Sequence, residues 1–169
     1  MGTAFTEEDC SIQDQLGKSY RVQFFENPGT WCVLVYDGEV PVGHANCVVK
    51  RDVLNVDDLH VSADATRPAH GLPLLFRSLF HYHSKGVNYR SRGLGRAMLR
   101  LLVTRASDHG FKVIEASFSP HDLAEDPGLP DWYLRQGFAI VPTGTYGQAK
   151  VQLQVHRDSA SGASRAFAS

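Results

Sequence analysis

The stretch Tyr89-Arg90-Ser91-Arg92-Gly93-Leu94-Gly95-Arg96-Ala97 carries the residue types that can grip a phosphate. Glycines let the backbone approach an anion closely, and the free amides at a helix N-terminus point partial positive charge at it. An amphipathic helix is expected to start on the second glycine. Arg90, Arg92 and Arg96 add mobile charge suited to a polyphosphate. A plain tight turn has the same Gly-x-Gly outline, so the outline alone does not decide. Two common phosphate motifs are absent. There is no GxxxxGK[ST], and no full GxGxxG followed by an acidic residue about 20 positions later.

Other reactive side chains point away from metal and thiol chemistry. Cys10, Cys32 and Cys47 form no CxxC pair and are odd in number, which argues against a disulfide framework and a zinc cluster. Cys32 and Cys47 lie in apolar runs and read as buried, inert thiols, as expected in a reducing cytoplasm. His81 and His83 stand at i, i+2, on different faces of a helix, and make no metal pair. The net charge of −1 hides an asymmetry. Residues 65–107 hold eight basic residues and no Asp or Glu, which suggests a local anion site. A nucleic-acid partner for that segment is the rival reading. The start MGTAFTEEDC has no apolar stretch of secretory length, and no run approaches the ~18 apolar residues of a membrane span. No membrane partner is expected.

These residues must be positioned by a modest set of elements. The 169 residues predict one domain over 1–157 and a Ser/Ala/Gly-rich, disordered tail over 158–169. Thr6-Glu7-Glu8-Asp9 resembles a helix start, with Gly17 as its end. Strands are expected over Ser19–Glu26, 31–36, 40–50 and Val53–Ser62, with Asn27-Pro28-Gly29 and Asp37-Gly38 as turns. Leu72, Leu75, Phe76, Leu79 and Phe80 recur at helical spacing, and a second helix runs from about Gly95 to His109. A strand over 111–118, a short helix over Asp131–Gln136 ending at Gly137, and strands over Ala139–Pro142 and Lys150–His156 complete the pattern.

The Arg-x-x-Gly-x-Gly signature at Arg90–Gly95 resembles the pyrophosphate loop of the GNAT superfamily of acetyl-CoA-dependent N-acetyltransferases. A second segment, Trp132-Tyr133-Leu134-Arg135-Gln136-Gly137-Phe138, is similar to that family's Tyr-x-x-x-Gly-Phe helix end, in the same order along the chain. A third, Val56-Asp57-Asp58-Leu59-His60-Val61, is similar to its central strand, which splays from the next strand to admit the pantetheine arm. The resemblance implies an α/β (α+β) fold: a mixed, mostly antiparallel central sheet flanked by helices. The Leu72–Phe80 helix would be an insertion before the loop, bordering the acceptor side.

The resemblance also implies acetyl-CoA as co-substrate, held by Leu59, His60 and Val61 and by Arg90, Ser91, Arg92, Gly93, Leu94, Gly95 and Arg96. The acidic pair resembles the diamine acetyltransferases, in which a carboxylate on this strand helps deprotonate the amine. Side chains alternate along a strand, so Asp58 and His60 share one face while Asp57, Leu59 and Val61 share the other. Only one of Asp57 and Asp58 can then face the substrate, and His60 is a weaker candidate base. Tyr133, with an ordinary phenol pKa near ~10, would protonate the leaving thiolate. The expected partner is a primary amine, free or carried on a macromolecule, and a homodimer is compatible with the pattern. The rivals are a catalytically inactive acyl-CoA-binding module and a nucleic-acid-associated protein.

Overall fold

A computed structural model of the chain describes residues 6–63, 88–143 and 149–155. The expected Leu72–Phe80 helix, the His81 and His83 pair and the 158–169 tail lie outside these residues. Eight strands form one sheet: β1 Thr6–Gln13, β2 Ser19–Glu26, β3 Thr30–Asp37, β4 Val40–Lys50, β5 Val53–Val61, β6 Val113–Phe118, β7 Ala139–Val141 and β8 Ala149–Gln154. Their order is β1-β2-β3-β4-β5-β6-β8-β7. Every neighbouring pair is antiparallel except β5 and β6, which run parallel. The mixed, mostly antiparallel sheet is the one expected.

A parallel pair needs a crossover. The described part of this one ends in a 3-10 turn, Arg90–Arg92, and helix α1, Leu94–Asp108. Leu94, Met98, Leu99, Leu102 and Ala106 recur on one face of α1 and are all buried. Fully burying a large aliphatic side chain is worth about 1.5–3 kcal/mol, so this stripe fixes the helix against the sheet. Leu54 and Val56 of β5 and Ile114 and Ala116 of β6 are the buried centre of that sheet. None of the described helices is long and apolar enough to cross a membrane.

Two expectations need correction. The segment Thr6–Gln13 is strand β1, not a helix, and pairs with β2 along its whole length. Its acids are exposed on a sheet edge, where charge discourages pairing with another chain. Glu8 forms an ion pair with Arg105 of α1, which lowers its carboxyl pKa. Gly17 has φ +79 and lies in the link to β2 instead of ending a helix. The second correction is an added helix, α2 Pro120–Glu125, placed before helix α3 Leu129–Arg135. Ser119 and Asp122 cap α2 reciprocally, with proline in its first turn.

Candidate functional site

Strands β5 and β6 are paired only from Val53 and Val113 to Val56 and Ala116. Beyond that point β5 stays bonded to β4 as far as Val61, and β6 stays bonded to β8 as far as Phe118. The two strands therefore part company, and a cleft of about 420 Å³ is lined by residues from β5, the turn before α1, α1, α2 and α3. That volume lies within the usual range of small-molecule sites, about 300–1,000 Å³.

One end of the cleft is positive. Gly93 has φ +76, a left-handed conformation that favours glycine, and it begins α1 without a side-chain cap. The first helical bond runs from the Ala97 amide to the Gly93 carbonyl, so the amides of Leu94, Gly95 and Arg96 precede it. At Gly95 an added Cβ would lie 3.5 Å from Leu59, 3.6 Å from Trp132 and 3.7 Å from Val61. Arg90 and Arg96 line the cleft, and Arg90 Nε donates to the Val61 carbonyl at 3.1 Å. The turn is thereby tied to the free end of β5.

The loop is also braced from behind. The Gln15 amide donates to the Arg92 carbonyl at 3.0 Å, and its side-chain Nε2 donates to the Ser91 carbonyl at 2.7 Å. Behind Gln15 lies Asp14, whose side chain has 0% exposure. Its Oδ1 accepts from the amides of Leu16 and Lys18, both at 2.9 Å, and its Oδ2 accepts from the Tyr20 hydroxyl at 3.0 Å. The Arg92 guanidinium is 4.0 Å from Asp14 and lies over the Tyr89 ring, so Arg92 faces this network and does not line the cleft. Burial alone would raise the Asp14 pKa. The Lys18 amide, the Tyr20 hydroxyl, the Leu16 amide and Arg92 together hold it below the usual carboxylate value.

The other end is acidic and aromatic. Asp58 and His60 line it from β5, Asp122, Glu125 and Asp126 from α2 and the residue after it, and Leu129 and Tyr133 from α3, while Leu59, Val61 and Trp132 complete the lining beside Gly95. Asp57 is exposed and is not a lining residue. The β4–β5 register explains the difference. Asn46 faces Asp58 while Cys47 faces Val56, so Asp57 is the extra residue of a β-bulge. The bulge returns Leu59 and Val61 to the side of the sheet that meets α1. Simple alternation, which groups Asp57 with Leu59 and Val61, misses it.

Tyr133 is buried among Phe118, Trp132 and Phe138, with ring centroids 5.3, 4.8 and 5.1 Å away. Its pKa is not the ordinary one expected. Burial pushes the phenol up, and the nearby Cys47 and Asp58 add to the effect. Cys47 is buried as well, and burial first, then Cys32 and Asp57, push its thiol up to about 12. Such a thiol is a poor nucleophile at neutral pH.

Of the residues singled out from the sequence, the cleft gathers Asp58, Leu59, His60, Val61, Arg90, Gly93, Gly95, Arg96 and Tyr133. Asp57, Ser91, Arg92 and Leu94 are not lining residues; Leu94 is fully buried in the core. The α2 acids were missed. Their signal was present in Ser119-Pro120-His121-Asp122, a capping pattern with proline at the first helical position.

No family model and no curated protein matches the chain. Solved structures do. An acetyltransferase described as of the GNAT family from Desulfovibrio desulfuricans superposes with a TM-score of 0.54 at 17% identity, covering 76% of this chain and 70% of its own. Tetrahymena GCN5 superposes at 0.52 and 11% identity, with 76% and 70% covered. A Bacillus subtilis acetyltransferase in complex with CoA does so at 0.50 and 12% identity, with 75% and 78% covered. At these identities the likeness is one of fold, and the chain has the fold of the GNAT acetyltransferases.

Proposed function

We propose that this chain is an N-acetyltransferase that moves an acetyl group from acetyl-CoA to a primary amine by direct transfer in a ternary complex. The observation that carries the reading is the cleft itself. It opens where β5 and β6 diverge, with a glycine-started helix and two arginines at one end and a carboxylate and a buried phenol at the other. The fold neighbours support acetyl transfer as the chemistry, and one of them is described with CoA bound.

In this reading the amides of α1, with Arg90 and Arg96, hold the pyrophosphate. Backbone amides of β5 polarise the thioester carbonyl. Asp58 takes one proton from the acceptor ammonium, leaving a neutral amine whose lone pair attacks the thioester carbon. The resulting tetrahedral species gives its remaining excess proton to solvent as the C–S bond breaks, and Asp58 likewise returns its proton to solvent. The departing thiolate takes a proton from Tyr133, which recovers one from solvent. Burial of Tyr133 keeps its hydroxyl protonated until then. The Asp122 carboxylate is engaged in capping α2, and Asp126 accepts from the Gly128 amide just before α3, so their charge is fixed in place at the acceptor end.

Thiol release from acetyl-CoA tests the reading, with polyamines, amino acids, aminoglycosides, peptides and modified nucleotides as acceptors. Amine-dependent release is expected. Binding of acetyl-CoA with no acceleration by any amine would favour the inactive module instead.

A further inference from the structure

Resting on that acetyl-transfer reading, we propose that His44 is a positioning residue that holds Asp58 as the base, with His60 fixing the His44 ring. His44 lies on β4 directly opposite His60 on β5, and the two rings stack with centroids 5.4 Å apart and 27° between planes. His44 Nε2 is 2.7 Å from Asp58 Oδ2. An ionised carboxylate can only accept, so Nε2 carries the hydrogen and donates it. One carboxylate oxygen is thereby occupied, and Oδ1 is left to take the proton of the acceptor ammonium.

The arrangement answers a problem that the location of Asp58 creates. The Asp58 side chain is 53% exposed and sits next to a bulge, so nothing in the strand ladder fixes its rotamer. A base must be held within hydrogen-bond reach of the proton it removes. His44, itself 37% exposed, supplies a charge-assisted hydrogen bond that restricts the carboxylate. His60 in turn restricts His44 and is itself a lining residue of the cleft. Among the described residues no group of three or more His, Cys, Asp or Glu side chains is placed to hold a metal ion.

Two acceptors that differ in protonation distinguish this role from simple packing. n-Butylamine is an ammonium ion near neutral pH and needs a base, whereas hydroxylamine is already neutral there and does not. In full-length protein with saturating acetyl-CoA, His44→Ala should lower kcat for n-butylamine about tenfold or more, as a weakened general base would. It should leave hydroxylamine transfer and the Kd for acetyl-CoA unchanged. Asp58→Asn should show the same selectivity with a larger loss. His44→Gln, whose amide can still donate to Oδ2, or added imidazole with His44→Ala, should recover part of the rate. An equal fall with both acceptors, or no fall with either, overturns the assignment. If the wild-type chain binds acetyl-CoA but acetylates neither probe nor any amine of the wider panel, the acetyl-transfer reading itself fails, and this inference with it.

Discussion

At the arginine end of the cleft the backbone is held by bonds that lead into a buried carboxylate. At the other end the proposed base Asp58 and its partner His44 stand partly exposed, held by one hydrogen bond and one ring stack. Ser91 and Arg92 are fixed through Gln15, Asp14 and Tyr20 to the β1–β2 hairpin, and Arg90 is fixed to the end of β5. In the proposed acetyl-transfer reading, the difference follows from what each end would recognise. A cofactor phosphate is always the same shape and charge, so rigid amides serve it best. An acceptor amine is bound and released with changing charge, and adjustable side chains at the protein surface suit that task. Acceptor choice can then vary by substitution at the acidic end without disturbing the loop.

The largest effect that would sharpen this contrast is at Tyr133. Tyr133→Phe keeps the ring that packs on Phe118, Trp132 and Phe138, and removes only the hydroxyl. We expect kcat to fall by about 10²–10⁴-fold while the Kd for acetyl-CoA hardly moves. Full turnover in this variant would reduce Tyr133 to a core aromatic. Next come the two neighbouring acids. Asp58→Asn should lower kcat by about 10²-fold, and Asp57→Asn at the bulge should change it little, by steady-state kinetics with the same acceptor. A larger loss from Asp57→Asn would reverse which carboxylate serves the site.

The smallest expected effect concerns the brace. Asp14 has its pKa lowered in the folded chain, so its stabilising contribution is present above the unfolded value of about 3.9 and is lost as pH falls below it. Asp14→Asn should therefore lower the Tm at pH 7, and the gap from wild type should narrow as pH falls below about 4. It should also weaken acetyl-CoA binding several-fold, because Gln15 and Arg92 lose their anchor. Equal melting curves at pH 7 would show that the network is not needed.

How far the sequence reveals these two ends differs in the same way. The Arg90–Gly95 loop, its helix and the Tyr133–Gly137 helix end are local patterns, and each lies where its glycines and apolar spacing predict. Strand β1 was not legible, because Thr6-Glu7-Glu8-Asp9 favours a helix start locally. Its pairing with β2 and the Glu8–Arg105 contact override that preference. The Asp58–His44 pair was hidden by register. The turn between β4 and β5 pairs Lys50 with Val53, and counting back from it would set His44 opposite Leu59. The bulge at Asp57 moves His44 opposite His60 instead, and no local signal in the chain announces that extra residue.

Titration of acetyl-CoA into the wild-type chain and into Gly95→Glu, followed by calorimetry and melting temperature, tests the central claim most directly. The wild type should bind in the micromolar range, with about 2.7 kcal/mol of added stability at ~100 times the Kd. In Gly95→Glu the new Cβ makes ordinary contacts with Leu59, Val61 and Trp132, and the carboxylate sets a negative charge beside the proposed phosphate position, so binding should vanish while the fold persists. No heat and no melting shift with the wild type would contradict the account, as would undiminished affinity in the folded Gly95→Glu variant.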